Sequence, residues 1–202
     1  SDIKYALVIA SETLTRYVDY SDRASCILFG DGAGAVIIKQ GEEDALYSSV
    51  LGSDGTGGKY LYGKMTHADI PFFENKTLFM EDYPGADYKL TQNGKEVYQF
   101  AVKIMPEAVE RAVAKAGITH GDVTWFIPHQ ANIRIIETAA KSMNIPLERF
   151  IINIAEHGNT SSASIPLALF DGIDSGRIKR GDVVCLCGFG AGLVYGAMIF
   201  KY

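Results

Sequence analysis

Hydrophobic positions in the first part of the chain form short apolar runs rather than long periodic stretches. Residues 5–10 predict a buried strand, and residues 26–38 predict a second one that is interrupted by glycines. Residues 41–88 contain many Tyr, Phe and Asp residues without a sustained period. This segment therefore predicts loops with one or two short strands.

From residue 95 the pattern changes to an alternation of helices and strands. Apolar positions three or four residues apart predict a helix that ends near Gly117, with a kink or break at Pro106. Further strands are predicted at 123–127, 150–154 and 183–187, and helices at 131–143 and 161–173. Such alternation is typical of a layered α/β fold with a mostly parallel mixed sheet.

A glycine-rich segment occurs twice, at residues 30–37 and 188–195, and each copy is predicted to follow a strand. Chance similarity between Gly-Ala turns is the alternative to a true repeat. If the repeat is real, residues 1–40 are the last strands of an N-terminal half whose front part is absent. Residues 41–88 then connect the halves, and residues 89–202 form a complete C-terminal half.

Composition narrows the class of protein. The chain has 202 residues with 19 basic and 24 acidic side chains, a formal charge of −5, so we expect no binding to nucleic acid or to a membrane surface. We find no signal peptide pattern and no apolar run long enough to span a bilayer. Cys26, Cys185 and Cys187 are odd in number, which favours a reducing, cytoplasmic location. No cluster has the spacing of metal ligands.

Two polar motifs follow predicted strands. His129 begins the turn after one strand, and Asn159 occupies the equivalent place one strand and helix later. Ligands bind at the carboxyl ends of parallel strands, and two N–H donors there suit a carbonyl oxygen that gains negative charge. The alternatives are a core or capping role for His129 and a turn role for Asn159. Thr160 or Ser161 is predicted to cap the next helix, and His157 to be structural.

The glycine turn at residues 188–192 allows close approach of the backbone to a substrate, and its amides suit an oxyanion hole. It is a poor phosphate-binding loop, because it runs into β-like sequence and lacks a following Lys-Ser or Lys-Thr pair. We therefore reject a nucleotide-binding interpretation.

Four segments together resemble the signature segments of the β-ketoacyl-acyl carrier protein synthase III family. They are Pro128-His129-Gln130-Ala131-Asn132, His157-Gly158-Asn159-Thr160-Ser161, Phe29-Gly30-Asp31-Gly32-Ala33-Gly34-Ala35 and Gly188-Phe189-Gly190-Ala191-Gly192. The resemblance implies a thiolase-like fold in a bacterial, cytoplasmic homodimer that initiates fatty-acid synthesis. The implied reaction is a decarboxylative condensation of acyl-CoA with malonyl-acyl carrier protein. No cofactor is implied, since the CoA and pantetheine thioesters are substrates.

The resemblance also implies roles for individual residues. His129 and Asn159 would donate to the malonyl thioester oxygen, and the amide of Ala191 would belong to the oxyanion hole of the acyl-enzyme, with Phe189 close to the reacting groups. The nucleophilic Cys would lie at a helix N-terminus before Ser1. None of the three cysteines present has such a setting, so the chain alone is predicted to be inactive.

Substrate and partner contacts are implied as well. Arg23 would lie beside the CoA nucleotide, Tyr98 near the pantetheine tunnel where relatives usually have Phe, and Asn132 and Arg134 at its entrance. Arg134 and Lys141 share one helix face that is predicted to dock the acidic carrier protein, a solvated face being the alternative.

The sequence leaves two other functions open. One is another thiolase-fold acyltransferase, such as a polyketide starter synthase or a hydroxymethylglutaryl-CoA synthase. The other is a subunit that binds acyl groups or a partner without catalysis.

Overall fold

The computed structural model describes residues 3–41, 44–63 and 89–202. Within these ranges the strands are β1 (Tyr5–Thr13), β2 (Asp31–Lys39), β3 (Leu46–Ser53), β4 (Leu61–Gly63), β5 (Leu90–Gln92), β6 (Trp125–Pro128), β7 (Val183–Gly190) and β8 (Val194–Lys201). The α-helices are α1 (Gly94–Ala116), α2 (Ile133–Ser142), α3 (Ile154–His157) and α4 (Ser164–Asp174). No helix in this described part is long and apolar enough to cross a membrane.

The main sheet has the strand order β3-β8-β7-β6. It is mixed, as predicted, but the expectation of mostly parallel pairing is wrong for the described strands. Only β6 and β7 run parallel, because a turn of three residues joins β7 to β8 and forces those two strands to be antiparallel. The edge strand β3 comes from the segment predicted to connect the two halves. Residues 64–88 of that segment lie outside the described residues.

Residues 150–154, predicted to be a strand, form only one parallel bridge, in which the N–H of Ile151 donates to the carbonyl of Phe126 at 2.9 Å. Proline has no N–H, so Pro128 cannot supply the next bond of a parallel ladder. The side chain of Gln130 replaces it and donates to the carbonyl of Ile151 at 3.2 Å. The chain then enters α3.

A second antiparallel pair joins β1 to β2, from Tyr5 opposite Lys39 to Thr13 opposite Asp31. Residues 26–28 form turns rather than the predicted strand, and Phe29 forms only an isolated parallel bridge with Asn159. The first glycine segment therefore lies mainly inside β2 and does not follow a strand, which corrects that part of the repeat hypothesis. Both copies nevertheless belong to antiparallel strand pairs, β1–β2 and β7–β8.

Helix α1 continues through Pro106, so of the kink or break predicted there, a break does not occur. Its N-terminus is capped by Asn93, whose side chain accepts from the N–H of Glu96, and it ends where Gly117 adopts a left-handed φ of 68°. The fully buried Ala101 and nearly buried Met105 lie on its apolar face. Packing of this face against the main sheet and α2 compensates for the backbone bond that the proline removes.

Helices α1 and α2 cover one face of the main sheet, and α4 covers the other face near β6 and β7. On that second face, Leu51 of β3 and Met198 of β8 remain exposed. Successive strand residues point to opposite faces, so Phe126 packs in the core beneath α1 and α2, whereas Ile127 packs toward α4. The partly buried Val36 of β2 joins the α4 side. The prediction of a layered α/β fold is confirmed.

Candidate active site

A cavity of about 840 Å³ lies at the carboxyl ends of β6 and β7. Six of the nine site residues predicted from the sequence line it: Tyr98, His129, Asn132, Asn159, Phe189 and Ala191. Three do not: Arg23, Arg134 and Lys141. The structure thus brings both polar motifs and the second glycine turn to one site.

His129 is fixed at the end of β6 by contacts of both its backbone and its ring. Its N–H donates to the carbonyl of Cys187 at 2.8 Å, and its Nδ1 lies 2.7 Å from the Oγ of Ser164. The ring packs edge-on against Phe189, with 5.3 Å between the centroids. Burial lowers the pKa of His129 to about 4, so the ring is neutral near pH 7.

Asn159 is held by main-chain bonds on both sides. Its N–H donates to the carbonyl of Leu28, and its own carbonyl accepts from the N–H of Gly30, both at 2.9 Å. The side-chain Oδ1 accepts from the N–H of Ser161 at 2.9 Å. Because the oxygen is occupied in this way, the amide presents its two Nδ2 hydrogens as donors.

The loop that carries Asn159 has unusual backbone geometry. Gly158 has a φ of 69°, which glycine adopts readily, and Ser161 has a φ of 49°, which is costly for a residue with a side chain. Gly30 packs so closely that an added Cβ would lie 2.2 Å from the carbonyl oxygen of His157. The segment that contains Gly30 and the loop that carries Asn159 can therefore pack this closely only because Gly30 has no side chain.

The end of β7 and the turn at residues 191–193 form another wall of the cavity. Phe189 contacts Phe100 edge-on at 6.5 Å, in addition to His129. Asp54 and Leu193 exchange two backbone hydrogen bonds of 2.7 and 2.8 Å, which anchor the turn to the end of β3. Ala191 is exposed to the cavity, and its N–H makes no hydrogen bond to a described residue.

Two residues that line the cavity belong to α1 and to the N-terminal cap of α2. The hydroxyl of Tyr98 lies 3.1 Å from the Oγ1 of Thr138 and ties the two helices together. Asn132 caps α2, since its Oδ1 accepts from the N–H of Arg134 at 2.9 Å. Its remaining polar atom at the cavity is the amide nitrogen.

The three basic residues outside the cavity are all exposed. Arg23 lies in the turns between β1 and β2, next to Ala24, which does line the cavity. Arg134 and Lys141 lie on α2, with the exposed Glu137 between them. This helix surface is therefore less basic than the two cations alone suggest.

Sequence reasoning missed two serines of the site. Either Thr160 or Ser161 was predicted to cap the next helix, but the structure shows no side-chain cap on α4 or on the short turn before it. The N–H of Ser161 instead orients the side chain of Asn159. Ser164 was assigned no role, although it contacts His129. The serine-rich run after Asn159 could have indicated that a serine takes part in the site. Which serine contacts His129 depends on contacts between residues distant in sequence.

None of the three cysteines is placed as a nucleophile at this cavity. Cys185 and Cys187 are buried in β7, and burial raises the pKa of Cys187 to about 12 and that of Cys185 well above its usual range. Cys26 is partly exposed in a turn and does not line the cavity. In the described ranges, no group of three or more His, Cys, Asp or Glu side chains could hold a metal ion.

Comparison with known proteins gives a consistent family. The model for the C-terminal part of 3-oxoacyl-[acyl-carrier-protein] synthase III matches residues 113–202, and the 3-oxoacyl-[acyl-carrier-protein] synthase III model matches residues 1–55. A β-ketoacyl-[acyl-carrier-protein] synthase III from Clostridium acetobutylicum is 43% identical over 201 residues, covering 100% of this chain and 60% of the relative.

Solved structures agree. A β-ketoacyl-[acyl carrier protein] synthase III from Thermus thermophilus matches with a TM-score of 0.87 and 42% identity over 98% of this chain and 59% of that one. A priming β-ketosynthase of a polyketide pathway matches with a TM-score of 0.80 and 36% identity over 98% and 57%. The chain thus spans about 60% of the length of the curated relative from Clostridium acetobutylicum.

The fold and the site together define the thiolase-like class of α/β proteins. Within that class, the chain belongs to the 3-oxoacyl-[acyl-carrier-protein] synthase III family. The resemblance found in the sequence motifs is confirmed.

Proposed function

We propose that the protein condenses an acyl-CoA with malonyl-acyl carrier protein and so initiates fatty-acid synthesis. One observation carries the proposal: His129 and Asn159 line the same cavity, and each is held so that a nitrogen remains free of protein partners in the described structure. The names of the relatives support this reaction class.

In this reaction the C–C bond to the malonyl carboxylate breaks, CO₂ leaves, and the electron pair forms a thioester enolate. The enolate oxygen accepts hydrogen bonds from His129 and Asn159. Each such donor is typically worth about 2.7–4 kcal/mol of transition-state stabilisation. The enolate carbon then attacks the acyl-cysteine carbonyl, whose oxyanion the Ala191 amide receives, and the thiolate leaves as the C–S bond breaks.

The low pKa of His129 fits this role. With a pKa of about 4, the ring is neutral near pH 7 and acts as an N–H donor rather than as a cation. The edge-on contact with Phe189 and the bond to Ser164 hold it in place before the substrate arrives. Such preorganisation is what makes an oxyanion donor effective.

The proposal places the nucleophilic cysteine in a segment that precedes Ser1. The chain spans 60% of the length of a curated relative. Burial keeps Cys185 and Cys187 as thiols, and Cys26 lies away from the cavity. A helix N-terminus before residue 1 would favour the required thiolate.

The proposal includes a cytoplasmic homodimer. The three cysteines are free, which suits a reducing compartment. In the sheet of β1 and β2, Leu7 lies opposite Ile37 on one face. Their side chains are 61% and 70% exposed. A surface of this kind favours further protein packing against it.

The test is alanine substitution in the whole protein. His129→Ala and Asn159→Ala should each lower malonyl decarboxylation roughly 10²–10³-fold while acylation of the cysteine by acyl-CoA stays comparatively intact. His157→Ala is the matched control, because His157 lies outside the cavity lining, 3.4 Å from Asp171. Decarboxylation within a few-fold of wild type in either active-site variant contradicts the assignment.

A second candidate is the priming of polyketide synthesis, which the 36% identity to a priming β-ketosynthase favours. The two functions share the chemistry and differ in the acyl donor and the carrier protein. Parallel assays with carrier proteins of fatty-acid and polyketide synthesis separate them. A protein without condensing activity on either carrier would instead support the non-catalytic subunit.

A further inference from the structure

Ser164 is the first residue of α4, is 1% exposed, and reaches from that helix to the turn after β6. Its Oγ lies 2.7 Å from Nδ1 of His129 and accepts the N–H of Gln130 at 3.2 Å. We propose that Ser164 is a positioning residue that fixes His129 in the neutral tautomer whose proton is on Nε2.

The hydrogen-bond count of the serine decides the tautomer. A hydroxyl has one proton to donate, and one acceptor site of this oxygen is already occupied by the N–H of Gln130. If Nδ1 of His129 carried the proton, the serine oxygen would receive a second donor. Its own buried proton would then have no acceptor among the described residues, which is costly.

The opposite arrangement satisfies every group. The hydroxyl of Ser164 donates to a bare Nδ1 of His129, and its oxygen still accepts the N–H of Gln130. The ring proton is then on Nε2, which has no hydrogen-bond partner in the described structure. Since His129 lines the cavity, Nε2 becomes the donor available to a substrate oxygen.

This inference deepens the proposed function and rests on it for its catalytic consequence. An oxyanion donor must carry a proton on the nitrogen that faces the substrate. With the proton on Nδ1, Nε2 would present a lone pair and repel the developing negative charge. The serine therefore acts through His129 and does not touch the substrate itself.

The first test is spectroscopic and does not depend on activity. In the whole protein with ¹⁵N-labelled histidine, the signals of His129 are assigned by their loss in His129→Gln. We expect a pyridine-type nitrogen at Nδ1 and a pyrrole-type nitrogen at Nε2 near neutral pH. A proton on Nδ1 in the wild type overturns the proposal.

Substitution of the serine then tests the cause. Ser164→Ala should give a mixture of both tautomers, and Ser164→Thr, which keeps the hydroxyl, should restore the single tautomer. Ser175→Ala is the matched control, because Ser175 lies at the other end of α4, where its hydroxyl donates to the carbonyl of Asp171. An unchanged single Nε2–H tautomer in Ser164→Ala overturns the role of the serine.

Kinetics give the functional test. In Ser164→Ala, malonyl decarboxylation should fall roughly 10- to 10²-fold, less than for loss of the whole donor, and Ser164→Thr should recover most of it. If the wild type lacks decarboxylation, the proposed function fails while the tautomer result still decides the role of Ser164. If Ser164→Ala does not fold, the Ser164→Thr and wild-type spectra decide it: the single Nε2–H tautomer in both supports the role, and a proton on Nδ1 in either overturns it.

Discussion

At the scale of single residues, the site depends on how His129 and Asn159 are restrained. Neither side chain is free to rotate, because one ring nitrogen and one amide oxygen are already bonded to the chain. Burial, rather than a neighbouring charge, lowers the pKa of His129 to about 4. The histidine therefore links the chemistry of the site to the stability of the fold.

This link predicts a pH dependence of stability. The folded-state pKa of about 4 lies below the unfolded value of about 6.5. Above about pH 6.5 neither state binds the proton, and as pH falls toward 4 only the unfolded state does, so His129 destabilises the fold progressively across this window. The loss is at most about 3 kcal/mol and levels off below pH 4.

The measurement compares wild type with His129→Gln by urea unfolding from about pH 7.5 to about pH 4.5. Other titrating groups are common to both proteins and cancel in the difference. The difference in unfolding free energy should shift in favour of the variant as pH falls. A difference that is the same at every pH contradicts the assigned pKa.

At the scale of elements, the end of β6 shows how a side chain replaces the hydrogen bonds of a neighbouring strand. Gln130 is fully buried, and its Nε2 donates to the carbonyls of Pro128 and Ile151. Its Oε1 accepts the N–H of Asn153 at 3.2 Å. The amide of Gln130, the residue after His129, thus forms hydrogen bonds with backbone groups that would otherwise bond to a neighbouring strand if the sheet continued.

Gln130→Met keeps the size of the side chain but removes these bonds. Buried backbone groups then lose their partners, and we expect a loss of roughly 2–4 kcal/mol in the free energy of unfolding. Gln99→Met on the exposed surface of α1 is the matched control and should change stability by at most about 0.5 kcal/mol. Equal midpoints of denaturant unfolding for the two variants would show that Gln130 is not needed to join these segments.

The exposed face of α2 supports a prediction about carrier-protein docking. Arg134 and Lys141 are seven residues apart, and Glu137 lies between them on the same side. Under the proposed function, Arg134→Glu should weaken binding of an acidic carrier protein roughly tenfold and reduce its salt dependence. Glu137→Gln should strengthen binding about two- to fivefold, because it removes a like charge.

Titration of each variant with the carrier protein at two salt concentrations measures both effects. Opposite changes for Arg134→Glu and Glu137→Gln identify this face as the docking surface. Affinities and salt slopes equal to wild type in both variants would show that this face of α2 is an ordinary solvated surface.

At the scale of the whole molecule, β1 and β2 differ from the rest of the fold. Part of one face packs on α4, but the face that carries Leu7, Ile9 and Ile37 is open, at 61%, 63% and 70% exposure. The main sheet, by contrast, is covered by α1 and α2 on one side and by α4 over β6 and β7 on the other. An open two-stranded sheet with apolar side chains is unstable in water without a partner.

Residues 1–202 expressed alone should therefore aggregate or pair with a second copy. Light scattering and intact mass measure this directly. Incubation with radiolabelled acyl-CoA should give no labelling, because none of the three cysteines lies at a helix N-terminus or lines the cavity. A stable monomer that is acylated on Cys26, Cys185 or Cys187 would contradict both the fragment hypothesis and the placement of the nucleophile.

Local pattern was sufficient to predict much of the fold and the position of two site residues. Helical spacing predicted α1, α2 and α4, and apolar runs predicted β1, β6 and β7, because these elements bury faces whose period is visible in the sequence. His129 could be proposed because it follows the run that forms β6. Asn159 was proposed from the apolar run at 150–154, which forms only one parallel bridge. The family resemblance added the reaction.

Contacts between residues distant in sequence determined the features of the site that the local pattern did not predict. The side chain of Ser164 reaches His129 across 35 positions, and Gln130 replaces a strand bond for Ile151 across 21. Whether a serine caps a helix or orients a histidine depends on which group lies opposite it, and the local sequence does not specify that neighbour. Burial, which sets the pKa of His129, is likewise a property of the packed molecule, because desolvation depends on every chain segment around the ring.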